Sequence, residues 1–260
     1  MPLRVGFIAG TVRTGTTLLS RLVAENRQCI SLREMHVSRI VNAAELNRHV
    51  RNATAAGFSQ QEIETLGQNL RLFEPHTIAK WLKLAGLTIQ DKHDKPCADI
   101  VVEKDPELLL AKANIPWILN YPTIYTVRNP RGILDALNLS SGREWRERAL
   151  QEAIAAFHNI QDYLSHPSLL VVRYEDLLVH TETTMRRVFE HLGVNISDID
   201  KMNEFSSLQY LSAQKKSMEN VDITRATAWV GNEELESTYA DVSERAGRES
   251  VTAYEEAFGY

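Results

Sequence analysis

The sequence predicts an α/β fold: a phosphate-loop (P-loop-type) parallel sheet flanked by helices on both faces. Three observations predict it. An apolar, β-branched run at 3–9 (LRVGFIA) stops at Gly10, and Leu18, Leu19, Leu22 and Val23 then recur at helical spacing. Three more short strands, at 100–103, 123–127 and 169–172, are separated by stretches long enough for crossover helices. Strands that alternate with helices pair in parallel and need cover on both faces.

The elements follow in order. After the first strand, residues 16–26 form a helix. Residues 27–36 read as a loop, because Asn26, Arg27, Ser31 and Arg33 interrupt any clean period. The pattern from 37 to 86 is helical. Within it Ser59 and Glu62 have the spacing of a capping box, and Pro75 sits where a new helix can start. The polar run 91–96 (DKHDKP) reads as a loop. Ala149, Leu150, Ala153, Ile154, Phe157, Ile160 and Leu164 mark one face of a long helix. Met185, Val188, Phe189 and Leu192 mark another, with Gly193 placed to end it. Residues 194–232 are the least regular. With no internal repeat, low-complexity tract or linker, 1–260 reads as one domain. The segments 37–98 and 194–232 are expected to build the acceptor site or a lid.

Composition bounds the function. The 29 Lys plus Arg against 34 Asp plus Glu leave a net charge of −5, which argues against a broad basic surface for nucleic acid. It does not argue against a local basic pocket for one small anion. Hydrophobic residues at 43% and charged residues at 24% describe a folded soluble chain. Two cysteines, Cys29 and Cys97, make neither a disulfide scaffold nor a four-Cys zinc site, and point to a reducing compartment. No apolar run approaches the length of a membrane span, and the N-terminal segment lacks a signal-peptide cleavage site. The expectation is a cytoplasmic protein with no membrane and no nucleic-acid partner; a homodimer is allowed.

The chemistry starts in Gly10-Thr11-Val12-Arg13-Thr14-Gly15-Thr16-Thr17. Two glycines separated by four residues, between a strand and a helix, let the backbone curl so that its N–H groups converge on an anion. The helix N-terminus adds its positive dipole end. Thr14, Thr16 and Thr17 add hydroxyls. The Lys that follows the second Gly of a Walker A loop is replaced by Thr16, and the loop cation is Arg13. Such a loop suits phosphate but makes a poor ATPase or GTPase. Its bland reading is a glycine turn capped by threonines. Arg128, in Tyr125-Thr126-Val127-Arg128-Asn129-Pro130-Arg131, leaves a strand end for a Pro-started helix and can grip a phosphate in bidentate fashion. Lys104, in Val102-Glu103-Lys104-Asp105-Pro106, sits at a strand's carboxyl end, where ligands of α/β sheets bind.

Together these segments resemble the sulfotransferases that use 3′-phosphoadenosine 5′-phosphosulfate (PAPS). Val12–Leu19 is similar to their P-R-S-G-T-T-L-L loop, with Val12 for Pro and Thr14 for Ser. Val127-Arg128-Asn129-Pro130-Arg131 resembles V-R-D-P-R, whose Arg binds the 3′-phosphate of the cofactor. Eight residues on, the family Ser is replaced by Ala136, and Asn138 or Ser140 is the nearest substitute. Arg173-Tyr174-Glu175-Asp176-Leu177 and the run Arg187–Gly193 are similar to R-Y-E-D-L … R-V-F-E-F-L-G, which implies that Tyr174 lies near the nucleotide. Glu103-Lys104-Asp105-Pro106, Ala228-Trp229-Val230-Gly231 and Phe258-Gly259-Tyr260 look like the N-K-D-P, K-W-V-G and L-G-Y segments of the protein-tyrosine sulfotransferase-like branch. Thr227 falls where that branch has a catalytic Ser. Arg225 falls where cytosolic sulfotransferases begin an R-K-G cofactor segment, of which the K-G is absent.

The resemblance implies transfer of a sulfuryl group from PAPS to a hydroxyl or phenol, leaving PAP. Arg13 and Lys104 would neutralise the developing charge, and the loop amides with Thr16 and Thr17 would hold the 5′-phosphate. The cations are side chains, so no metal is expected, and the sequence has no HExxH, CxxC or EF-hand pattern. The base is Glu34 or His36. The Arg13–Glu34 separation matches the tyrosylprotein branch and favours Glu34; His36 has the more suitable ordinary pKa. A small-molecule or glycan acceptor is favoured over a peptide tyrosine. The alternatives are an ATP-dependent small-molecule kinase, opposed by the missing loop Lys, and a non-catalytic nucleotide-binding protein, for which Ala136 leaves room.

Overall fold

A computed structural model describes residues 3–34, 53–54, 58–69, 75–92, 97–137, 143–195 and 232–260. Five parallel strands form one sheet in the order β2-β3-β1-β4-β5: β1 (Arg4–Ala9), β2 (Cys29–Arg33), β3 (Ile100–Asp105), β4 (Thr123–Val127) and β5 (Leu169–Arg173). The helices are α1 (Thr16–Glu25), α2 (Gln60–Asn69), α3 (Pro75–Lys92), the single turn α4 (Ile115–Ile118), α5 (Pro130–Ala136), α6 (Arg143–Ile160), α7 (Tyr174–Val179), α8 (Thr181–Leu192), α9 (Glu233–Ala246) and α10 (Arg248–Phe258).

Side chains alternate between the two faces of the sheet. Val5, Phe7 and Ala9 of β1 face one way and pack with Val101, Tyr125 and Val127, under α3, α6 and α10. Ile8, Ile100, Val102, Ile124 and Val172 face the other way, under α1, α7 and α8. Period-two alternation with both faces apolar is what a doubly covered sheet requires. Phe7, fully buried, meets Trp117 and Tyr121 edge-on at 5.4 and 5.7 Å.

Several local expectations hold. Ser59 N–H donates to Glu62 Oε2 at 2.6 Å and Glu62 N–H to Ser59 Oγ at 3.3 Å, a closed capping box at the start of α2. Pro75 opens α3. Gly193 ends α8 in the left-handed region, φ 65°.

Two expectations are corrected. Residues 27–36 are not all loop: Cys29–Arg33 is an edge strand in register with β3, from Cys29↔Ile100 to Arg33↔Lys104. Burial of Cys29, Ile30 and Leu32 forms it despite the polar residues between them. Ser31 is accommodated because its hydroxyl meets Ser20 Oγ of α1 at 2.7 Å. Residues 91 and 92 are not loop either, since α3 continues through Lys92. Residues 93–96 lie outside the described residues.

β1 sits between β3 and β4, although the chain passes from β1 to β2 first. The chain leaves β1 toward the β2 edge and leaves its neighbour β4 toward the β5 edge, and such a divergence opens a crevice at the carboxyl ends of the strands. Gly10, Glu34, Lys104, Arg128 and Tyr174 all stand at those ends.

Candidate active site

The first loop is tied together by threonine hydroxyls. Thr14 Oγ1 accepts from Thr11 N–H at 3.0 Å and donates to Thr11 C=O at 2.8 Å. It also meets Thr126 Oγ1 at 3.1 Å, and Thr126 in turn reaches Ala9 C=O at 3.2 Å. Thr14 and Thr126 are both buried, so this is an internal brace between the loop and β4. A Cβ on Gly10 would stand 2.3 Å from Thr126 Oγ1 and 2.6 Å from Thr14 Oγ1, so only glycine admits the brace. Gly15 has φ 96°, and a Cβ there would stand 2.5 Å from the Tyr174 ring. Gly15 is also the N-cap of α1 and gives it no side-chain cap, and the first turn holds no acid. The first-turn N–H groups of Thr16 and Thr17 are therefore available to an anion.

Among the described residues two non-glycine residues have positive φ, Arg13 at 68° and Glu34 at 41°. Both lie at the mouth of the crevice. Glu34 N–H still donates to Lys104 C=O at 2.9 Å, which extends the β2–β3 pairing by one residue before the chain turns. Lys104 Nζ donates to the Glu34 carboxylate and, at 3.3 Å, to Thr17 Oγ1. The Lys104 side chain is 4% exposed and that of Glu34 39%. One buried ammonium thus joins the tip of β2 to the first turn of α1.

On the other side of the crevice Arg128 is 7% exposed. Its NH1 donates to Arg13 C=O at 3.2 Å, so the left-handed backbone at Arg13 points a carbonyl at this guanidinium. Its face lies 4.2 Å from the centre of the Tyr174 ring. A Cβ on Gly132 would stand 2.8 Å from Arg128 Nε. That Nε is buried and without a hydrogen-bond partner among the described residues. Burial lowers the Arg128 pKa from its ordinary value; Tyr174, Glu175 and Asp135 oppose the shift. A buried guanidinium with an unused donor and no carboxylate in ion-pair range among the described residues fits an anionic ligand group.

The sulfotransferase family model matches residues 7–198. The chain belongs to the sulfotransferase family. It thereby falls among the PAPS-dependent sulfotransferases that its loops resemble; the protein-tyrosine branch is not distinguished from the others. Two solved structures share its fold. The sulfotransferase domain from the curacin biosynthetic pathway has a TM-score of 0.58 at 15% identity, covering 94% of this chain and 97% of that one. The sulfotransferase domain from the Synechococcus PCC 7002 olefin synthase has a TM-score of 0.55 at 16% identity, covering 94% of each chain. No curated protein matches it by sequence.

Of the predicted site residues, the fold brings together Arg13, Thr14, Gly15, Thr16, Thr17, Glu34, Lys104, Arg128 and Tyr174 around one crevice of this sulfotransferase. His36, Ser140, Arg225, Thr227 and Trp229 lie outside the described residues. Ala136 is the last residue of α5. Sequence reasoning missed Thr126, which carries no motif signal, and the contacts of Tyr254 and Tyr260 with the Arg128 turn. It also missed Arg131, which pairs with Glu236 and Glu255, both at 2.9 Å, and covers the Tyr239 ring at 3.7 Å. That network fastens α5 to α9 and α10. Among the described residues no group of acids, histidines and cysteines could hold a metal, and no helix is long and apolar enough to cross a membrane.

Proposed function

We propose that this sulfotransferase moves the sulfuryl group of PAPS to a hydroxyl or phenol acceptor, with Glu34 as the general base. One observation carries the reading: the buried Lys104 ammonium contacts both the Glu34 carboxylate and Thr17 at the phosphate loop. A group that would neutralise a leaving phosphate and a group that would take the acceptor proton therefore meet at one point.

Bound, PAPS supplies the sulfuryl group, and its phosphates are what the loop and Arg128 recognise. The uncapped N–H groups of Thr16 and Thr17 would hold the 5′-phosphate, and the Arg128 guanidinium would hold the 3′-phosphate. Arg13, exposed at the mouth, and Lys104 would supply positive charge to the leaving phosphate. Glu34 remains open enough to solvent to receive an acceptor hydroxyl and accept its proton. These donors are oriented before the substrates arrive, which is the economical form of electrostatic catalysis.

We place the acceptor among small molecules or glycans and the protein in the cytoplasm. The chain is proposed to act as one domain, with 37–98 and 194–232 drawn on for the acceptor pocket or its cover; 37–52 and 196–231 of these segments lie outside the described residues. The ATP-kinase alternative is not favoured, because the family is that of sulfotransferases. The first test is a melting-temperature shift with PAP against ATP at equal concentration, for which a larger shift with PAP is expected. The second is Glu34→Gln. The variant should bind PAP as the parent does and lose about 100- to 10,000-fold in turnover. Full turnover would remove Glu34 as the base.

A further inference from the structure

Arg128 is the first residue beyond β4, past the last sheet pairing on either side. The β4–β5 pairing ends at Val127↔Arg173, and the β1–β4 register ends at Ala9↔Tyr125. Backbone groups buried beyond a ladder need another partner. A single side chain supplies both. The Tyr254 hydroxyl accepts from Arg128 N–H at 3.2 Å and donates to Arg128 C=O at 3.0 Å. The next N–H is held as well: Asn129 N–H donates to Glu175 Oε1 at 3.0 Å, and Tyr260 O–H donates to Glu175 Oε2 at 2.9 Å. The Tyr260 ring stacks on the Tyr254 ring at 6.3 Å and 14°.

We infer that Tyr254, seconded by Tyr260 through Glu175, is a positioning residue that gives the site its selectivity for a nucleotide bearing a 3′-phosphate. The inference rests on the reading that Arg128 holds that phosphate. A guanidinium lies at the end of a long side chain, so a small rotation of its peptide moves the donors by an ångström or more. Misplacement on that scale is enough to lose much of a bidentate contact. The Arg128 side chain is held by one hydrogen bond from NH1 to Arg13 C=O, by the Tyr174 ring and by packing on Gly132, but all three contacts depend on where its peptide sits. The backbone anchor therefore contributes to the aim. Burial raises the Tyr254 pKa, which keeps the phenol protonated and able to donate to the carbonyl.

The competing role for Tyr254 is core filling, because its ring packs edge-on against Phe157 and Phe258 at 5.8 and 4.9 Å. Tyr254→Phe keeps that ring and removes only the oxygen. The full chain is titrated calorimetrically with PAP and with adenosine 5′-phosphate, which lacks the 3′-phosphate. The readout is the ratio of the two affinities. Tyr254→Phe should lower the ratio about tenfold, the scale of one or two lost hydrogen bonds, with the adenosine 5′-phosphate affinity nearly unchanged. Tyr260→Phe, one bond further away, should lower it about two- to threefold. An unchanged ratio in Tyr254→Phe, or equal weakening toward both ligands, overturns the inference. If Tyr254→Phe does not fold, Tyr260→Phe decides alone, and an unchanged ratio overturns it. Arg128→Lys is measured beside them. If it leaves the ratio intact, the 3′-phosphate reading of Arg128 fails. If it collapses the ratio and neither Phe variant does, only the positioning role fails.

Discussion

On the β2–β3 side of the crevice the Glu34 side chain is 39% exposed, and Thr17 faces solvent. On the β4–β5 side Arg128 is 7% exposed, Tyr174 8% and Tyr254 1%, and both backbone groups of Arg128 are bonded. The first side is held by polar contacts that converge on one ammonium. The second is held by aromatic packing and backbone hydrogen bonds. The difference matches the proposed division of labour. A group that grips an unchanging phosphate gains from a fixed, desolvated setting. A base that must admit varied acceptor hydroxyls needs an open one. Of the two non-glycine positive-φ residues among the described ones, Glu34 lies on the open side and Arg13 turns its carbonyl to Arg128 on the closed side; backbone strain commonly gathers at working sites.

The sharpest way to break this contrast is Lys104→Met, which keeps the aliphatic stem and deletes the charge. Turnover should fall about 100- to 1,000-fold, while PAP affinity, measured by calorimetry, should change far less. A variant that loses both equally would make Lys104 a ground-state ligand and erase the division between the two sides.

Gly15→Ala tests the point where the sides touch. Its positive φ and the Tyr174 ring both oppose a methyl group. The expected cost is about 1–3 kcal/mol, visible as a lower urea midpoint together with weaker PAP binding. Thr126→Val probes the loop brace more gently. It removes the hydroxyl that meets Thr14 Oγ1 and Ala9 C=O, and should cost about 1 kcal/mol, with Thr126→Ser restoring most of it. A Ser variant no more stable than the Val variant would show that the methyl group contributes as well as the hydroxyl.

The smallest effect lies away from the crevice. His191 Nε2 contacts Thr123 C=O at 3.2 Å and Ser168 C=O at 3.0 Å, at the amino ends of β4 and β5. Burial is the main cause of a pKa lowered from 6.5, against the two backbone contacts, which raise it. With the folded pKa below the unfolded one, the unfolded chain binds more protons as pH falls through 6.5. Stability from this group is therefore present above about pH 6.5 and is lost below it. Urea midpoints at pH 7.5 and 5.5 should differ slightly less in His191→Gln than in the parent, with the pH–rate profile unchanged. A shifted profile would tie His191 to the chemistry and contradict the separation drawn above.

The phosphate loop, the strand-end Arg128 and Lys104, and the alternation of strands and helices were legible because each is local. A glycine spacing, a Pro-started helix and a period of two or 3.6 are properties of neighbouring residues. β2 was not legible, because its polar Ser31 is satisfied by Ser20, a residue of a helix that only packs there once folded. The Lys104–Glu34 meeting joins residues 70 apart, and the Tyr254–Arg128 bonds join residues 126 apart.

By itself, then, the sequence determined the family and the parallel α/β class, since short motifs and hydrophobic periods encode them, and it nominated the residues proposed to face phosphate. Only the tertiary structure decided that Lys104 bridges Glu34 to Thr17, that Thr14 is a buried brace, and that Tyr254 holds both backbone groups of Arg128. Those are cross-sheet contacts, set by register and by which helix covers which face, and no local window of the chain contains them.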